Sequence, residues 1–273
     1  MWHHLSRGVE VVDAGGGLVC RIVDDVTITT GLRTKPSPVG DYRIVGDDKR
    51  IVRLIGRLAS PTASIDDVLA PAAAVFGGSI EPKPDGRRVR LADADGTFLA
   101  TAMLQTADRE RVCEIVTPVI AADHRAALER LLEPARTAGC VVPVEAAVHV
   151  HFDGDVFRHA GRFARLVELF TTRRDELRRA FDTNPRCRLL GPLPDELVAY
   201  VRSPGFDQLP WAEVDAALRT MALSKYCDVN LRNLRDRPRG KDTVEVRILA
   251  GSIDAGAIAD QVEYLQQLLT DLD

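Results

Sequence analysis

Thr243-Val244-Glu245-Val246-Arg247-Ile248-Leu249 alternates apolar and polar side chains along its length. That period of two marks a strand with one buried and one polar face. Val244, Val246 and Ile248 take the first face, and Thr243, Glu245 and Arg247 the second. A carboxylate and a guanidinium two residues apart therefore stand side by side. An ion pair on a solvated strand surface, worth little to stability, is the plainer alternative to a functional site.

Working outward, a polar, Arg-rich loop with Pro238 and Gly240 separates this stretch from a second strand over 226–231, which implies an antiparallel connection. Beyond it, Asp254 is placed to cap a helix that turns Ile258, Val262, Leu265, Leu269 and Leu272 inward. Upstream, Val214, Ala217, Leu218 and Met221 mark one helix. Phe163, Leu166, Val167, Phe170 and Leu177 mark another, long one over 161–181. A strand over 141–152 carries His149-Val150-His151, whose imidazoles share a face. Asp123 opens a helix with Ala127, Leu128, Leu131, Leu132 and Ala135 on one side, bent or shortened by Pro134 and ended by Gly139.

The N-terminal part reads as strands over 7–12, 18–23, 26–30, 51–58, 88–92 and 98–104, with one helix from Ser64 to Phe76 that contains Pro71 and stops at Gly77. Strands and helices do not alternate strictly. The expected fold class is therefore α+β, an antiparallel sheet with helices packed on one face. The domains expected are a strand-rich segment 1–48 and a catalytic-type domain 49–273, or one continuous domain 1–273.

Composition narrows the function. The chain of 273 residues carries 36 basic and 40 acidic groups, a formal charge of -4. That argues against a protein devoted to the phosphate backbone of nucleic acid. Thirty-one of the basic residues are Arg, which weakens any single arginine as a signal. Cys20, Cys113, Cys140, Cys187 and Cys227 are scattered and never form a Cys-x-x-Cys pair, so neither disulfides nor a zinc knuckle are expected. The N-terminus lacks an apolar signal core, and the apolar run 68–76 is too short to span a bilayer. A soluble, cytoplasmic protein without membrane or nucleic-acid partners is expected.

His149 and His151 suit a metal or a phosphate, with a solvated strand face as the alternative. A His-x-His metallohydrolase would draw further histidines from later strands, and only His159 follows. No phosphate-binding Gly-x-x-x-x-Gly-Lys-Ser/Thr loop and no Gly-x-Ser-x-Gly elbow is present. Glu114 opens Glu114-Ile115-Val116-Thr117-Pro118 at a strand end. Acidic, imidazole and guanidinium groups on three strands suit a carboxylate-lined site for magnesium and phosphate.

Four blocks in series resemble the amidoligase family of the glutamine synthetase and glutamate-cysteine ligase superfamily. They are Glu114-Ile115-Val116-Thr117-Pro118, His149-Val150-His151-Phe152, Lys225-Tyr226-Cys227-Asp228-Val229-Asn230-Leu231, and Thr243 to Arg247 followed by Gly251-Ser252. The resemblance runs from about Cys113 to the C-terminus. It implies a glutamine synthetase catalytic-domain-like fold and an ATP- and magnesium-dependent carboxylate-amine ligase. ATP would phosphorylate a substrate carboxylate, and an amine would displace phosphate from the acyl phosphate, joining small-molecule or peptide substrates.

Carried over by position, Glu114 and Glu245 would be metal ligands and His149 a metal or phosphate contact. His151 would touch nucleotide or substrate, and Arg247 would stabilise the phosphoryl group or the oxyanion. Asn230 would orient substrate or phosphate, and Arg186 and Arg188 would meet nucleotide phosphate. The family's opening strand Gly-Val-Glu-x-Glu is matched by Gly8-Val9-Glu10-Val11-Val12 only at Glu10, the fourth expected metal ligand. A competing alignment sets a strand Ile51-Val52-Arg53-Leu54-Ile55 there and leaves no carboxylate. Missing glutamates imply an alternative, a degenerate member that binds nucleotide, small molecule or partner protein without turnover.

Overall fold

The structure, a computed structural model, describes residues 3–24, 26–29, 40–105, 113–143, 145–187, 190–236 and 242–272. The chain divides into two compact units, Met1–Ile120 and Ala121–Asp273. Both combine helices with antiparallel sheet, which makes the fold α+β.

The first unit holds β1 (His3–His4), β2 (Arg7–Val12), β3 (Leu18–Asp24), β4 (Tyr42–Gly46), α1 (Lys49–Leu58), α2 (Ala70–Phe76), β5 (Ser79–Pro82), β6 (Arg88–Ala92), β7 (Phe98–Leu104) and β8 (Glu114–Val116). One sheet runs β1-β4-β7-β6-β5 and a second runs β2-β3-β8. Strands from before and after position 48 thus lie side by side in one sheet. Alternation sends Tyr42, Ile44, Val89, Leu91, Ala100 and Ala102 to one face, where they pack with Val52 and Ile55 of α1 and Leu69 and Ala72 beside α2.

α1 corrects the strand expected over 51–58. Ile51, Val52, Leu54 and Ile55 are buried or half-buried while Arg53 and Arg57 face out, a stripe of helical period. Asp48 begins the helix by accepting the Arg50 N–H at 2.7 Å. β-Branched content suggested a strand, but spacing and the cap decide for a helix, and the alignment that made 51–55 a catalytic strand falls with it. The helix expected from Ser64 starts later, at Ala70, because Pro71 fits only a first turn. It ends at Gly77, whose φ of 59° is the left-handed stop. Residues 26–29 hold only a bridge, Ile28 to Tyr42.

The second unit holds α3 (His124–Thr137), β9 (Ala147–Asp153), α4 (Ala160–Thr172), α5 (Arg174–Ala180), α6 (Asp195–Val201), α7 (Trp211–Thr220), β10 (Val229–Asn230), α8 (Arg232–Asp236), β11 (Thr243–Ala250) and α9 (Ala255–Thr270). Its sheet runs β10-β11-β9, antiparallel throughout. Val229, Val244, Val246 and Ile248 join Phe163, Leu166, Val167, Phe170, Val214, Leu218, Ile258 and Leu265 in one core. α9 starts where Asp254 accepts the Ala257 N–H at 2.8 Å. Pro134 lies inside α3, which runs on past it to Thr137.

The long helix expected over 161–181 is two. Thr171 and Thr172 turn their hydroxyls back onto the carbonyls of Val167 and Glu168, each at 2.7 Å, a bond that competes with regular helix. Arg173 leaves helical geometry at φ -104°, ψ 18°. The strands expected over 141–152 and 226–231 shorten to β9 and β10. Among the described residues no helix is long and apolar enough to cross a membrane.

Phe163 is fully buried and meets Trp211 edge-on at 5.5 Å between ring centres. Phe163→Ala is expected to lower stability by about 3–5 kcal/mol. Urea denaturation measures this, and a loss under about 1 kcal/mol would contradict the packing.

Candidate functional site

One face of the β10-β11-β9 sheet is polar, because its strands bury alternate residues against the helices on the other side. Register then aligns the polar groups in rows. Asn230 lies opposite Glu245, and Glu245 opposite His151. In the next row the Arg247 N–H donates to the Asp228 carbonyl at 2.9 Å. Between Val246 and Leu249 the β11-β9 register shifts, so that Arg247 and Ile248 together face His149. Such a bulge re-aims a side chain at the place where it occurs.

Glu245 is the centre of the arrangement. Its Oε1 accepts from Arg247 Nη1 at 2.6 Å, and its Oε2 accepts from Asn230 Nδ2 at 2.7 Å. His149 Nδ1 stands 3.3 Å from the same Oε1 and 3.5 Å from Arg247 Nη1. Side-chain exposure is 10% for Glu245, 13% for Arg247 and 25% for His149. The imidazole is thus the most accessible of the three. Arg247 Nε is buried with no hydrogen-bond partner. Burial alone would raise the Glu245 carboxyl, but the Asn230 bond, with Arg247 and the two imidazoles, holds it below the usual range. Burial, and then the Arg247 charge, depress His149 from 6.5 to about 4, against the opposing pull of Glu245. The imidazole is therefore neutral at pH 7.

His151 is exposed at the rim, its Nδ1 3.0 Å from Thr243 Oγ1, which also accepts from Asn233 Nδ2 at 3.1 Å. Sequence reasoning missed a second charged cluster beside the first. Asp228, 3% exposed, accepts from Arg174 Nε at 2.7 Å and Arg178 Nη1 at 3.4 Å. Burial raises its pKa despite both arginines. The signal was present, since Arg174 and Arg178 are four residues apart on one helix face and Asp228 precedes Asn230 by two.

Glu10 and Glu114 belong to the first unit and share a face of the β2-β3-β8 sheet, with Glu10 opposite Arg21 and Glu114 opposite Val23. Two strand spacings and a two-residue offset put them roughly 12 Å apart. Arg21, between them, pairs with Glu10 at 2.6 Å. Arg186 is exposed, its backbone N–H bonded to Asn184 Oδ1 at 2.9 Å. Arg188 lies outside the described residues.

Among the described residues no group of three or more His, Cys, Asp or Glu is arranged to hold a metal ion. Glu245 and His149 form a pair, an ionised carboxylate beside a neutral imidazole. Magnesium takes one or two carboxylates and completes its shell with water and substrate phosphate. The pair therefore fits part of such a shell once Glu245 Oε1 exchanges its Arg247 contact.

Residues 91–269 match the model of the family described as "Putative amidoligase enzyme". The match begins ahead of Cys113 and takes in β7, β8 and the whole polar face of the β10-β11-β9 sheet. No curated protein and no solved structure matches the chain.

The depressed His149 has a pH consequence. Its folded pKa lies below the unfolded 6.5, so the stability it contributes is present above about pH 6.5 and is lost as pH falls toward about 4. In an NMR titration the His149 ring should stay neutral through pH 6.5 and titrate near 4. Arg247→Met should move that midpoint up and Glu245→Gln should move it down. A midpoint near 6.5 in the unaltered chain would contradict the buried arrangement.

Proposed function

The chain belongs to the putative amidoligase enzyme family, and from that premise we propose that it is an ATP-dependent carboxylate-amine ligase working through an acyl phosphate. The observation that carries this reading is Arg247, a guanidinium held by a buried carboxylate beside a neutral imidazole from the neighbouring strand, on one sheet face. A cation so oriented, with a donor left over at Nε, suits an anion whose charge moves during reaction. In this reading the second unit's sheet and helices are a glutamine synthetase-like catalytic architecture.

The chemistry runs in two displacements. An oxygen of the substrate carboxylate attacks the γ-phosphorus of ATP, and ADP leaves with the electrons of the broken P–O bond. The amine nitrogen then attacks the acyl carbon, and phosphate leaves as the C–O bond breaks and the nitrogen loses a proton. Arg247 would bind the phosphoryl oxygens in the first step and the tetrahedral oxyanion in the second. Until a cation takes its Oε1, Glu245, itself fixed by Asn230, keeps Arg247 aimed. His149, uncharged, would approach the phosphate without repelling a cation, and His151 at the rim would touch nucleotide or substrate. Glu245 and His149 are the residues that would hold a divalent cation, which when bound neutralises phosphoryl charge. Arg186 would meet nucleotide phosphate from its exposed loop.

The test uses carboxylates labelled with ¹⁸O, offered with ATP, magnesium and a panel of amines that are small molecules or peptides. One ¹⁸O should pass from the carboxylate into released inorganic phosphate, alongside ADP and the amide. Release of AMP and pyrophosphate would sink the acyl phosphate. No amide from any pair would point to binding without turnover. Arg247→Lys should lower turnover by about 10²-fold, because an ammonium cannot make the same fixed fork.

A further inference from the structure

Thr243 opens β11 on the polar face, and among the described residues its Oγ1 has two hydrogen-bonding neighbours. Asn233 Nδ2 lies 3.1 Å away and His151 Nδ1 lies 3.0 Å away. An amide nitrogen can only donate, so the Thr243 oxygen accepts from Asn233. The hydroxyl has a single proton of its own, and the acceptor in line for it is His151 Nδ1. A ring nitrogen that accepts must be bare, and a neutral imidazole bare at Nδ1 carries its proton at Nε2.

The near end of this chain of bonds is anchored. Asn233 is 8% exposed on α8, whose Leu234 is buried in the core and whose Arg235 Nη1 donates to the Met221 carbonyl at 2.9 Å. The far end reaches the candidate site, because His151 stands opposite Glu245 in the β9-β11 register and is exposed at the rim. With Nδ1 engaged and Nε2 protonated, this imidazole has no lone pair left for a metal ion or for the proton of an amine. What it offers is an N–H, which suits an oxygen.

We propose that Asn233 and Thr243 are positioning residues that hold His151 as its Nε2–H tautomer, a donor to a phosphate oxygen of the nucleotide. The phosphate rests on the ligase reading, in which the oxygens beside Glu245 are those of a triphosphate. The tautomer does not.

The experiment is long-range ¹H–¹⁵N NMR of the histidine rings in the full chain at about pH 8.5, well above the ordinary imidazole pKa. His151 should show a protonated Nε2 and a bare, hydrogen-bonded Nδ1. Thr243→Val keeps a β-branched strand residue and removes the hydroxyl, so the Nδ1 resonance should move to the position of a free ring nitrogen. Asn233→Asp inverts the relay. An ionised carboxylate only accepts, so it takes the Thr243 proton, and the Thr243 oxygen then accepts from the ring. The His151 proton should therefore pass from Nε2 to Nδ1. A protonated Nδ1 in the unaltered chain, or an unmoved ring in Thr243→Val, would overturn the tautomer, and Thr243→Val decides alone if Asn233→Asp does not fold.

The donor role is read by calorimetry with adenylyl imidodiphosphate and magnesium. His151→Ala should weaken binding about tenfold, for a bond to a charged group lost. His151→Gln, whose amide nitrogen can stand where Nε2 does, should restore it. Equal affinity in all three, a glutamine no better than alanine, or no binding at all would overturn the phosphate contact. A protonated Nε2 without ADP release for any carboxylate would sink the ligase reading and leave the tautomer standing. ADP release with ¹⁸O transfer from a chain whose His151 is protonated at Nδ1 would do the reverse.

Discussion

A carboxylate taken out of water has to have its oxygens bonded, and Glu245 meets that demand with one partner from each strand of its sheet. Asn230 comes from β10, Arg247 from β11 itself, and His149 from β9. Breaking such a buried pair leaves an uncompensated charge, at a cost of about 3–5 kcal/mol. The interaction therefore ties register to chemistry. A one-residue slip of either neighbouring strand would turn its polar partner into the apolar core and leave Glu245 short of a bond.

The same demand shapes the surroundings. Arg247 is reached through a bulge, which lets Ile248 and Leu249 both bury while the guanidinium stays beside Glu245. On the far edge, Asp228 repeats the pattern as a buried carboxylate with two arginines, here from α5. The helix is consequently tied to the segment just before β10, and the α4-α5 break at Arg173 falls just before the first of those arginines. Stability and site are thus built from the same bonds, with the helices on the apolar face supplying the hydrophobic part.

Much of this was legible in the residues. β11 and α9 show clean periods of two and of about 3.6, and their caps and faces stand where the pattern places them. The Glu245–Arg247 neighbourhood follows from side-chain alternation, and its pairing with His149 from two strands carrying polar groups in step. Other parts misled for identifiable reasons. Residues 51–58 are rich in β-branched side chains, but their spacing is helical and Asp48 caps them. Residues 161–181 have continuous helical spacing, yet two threonines compete for the backbone at 171 and 172.

By itself the sequence determined which residues alternate, which can cap, and which carry charge, because these depend on chemistry within a few positions. It thereby specified an α+β chain with polar strand faces bearing Glu245 and Arg247 on one strand and His149 on another. Tertiary structure alone decided which charges meet. Glu10 finds Arg21 from the adjacent strand, and Asp228 finds Arg174 and Arg178 from a helix about fifty residues earlier. The physical reason is that burial makes an unpaired charge expensive, and only the packed arrangement determines which groups are buried and which partners lie in reach.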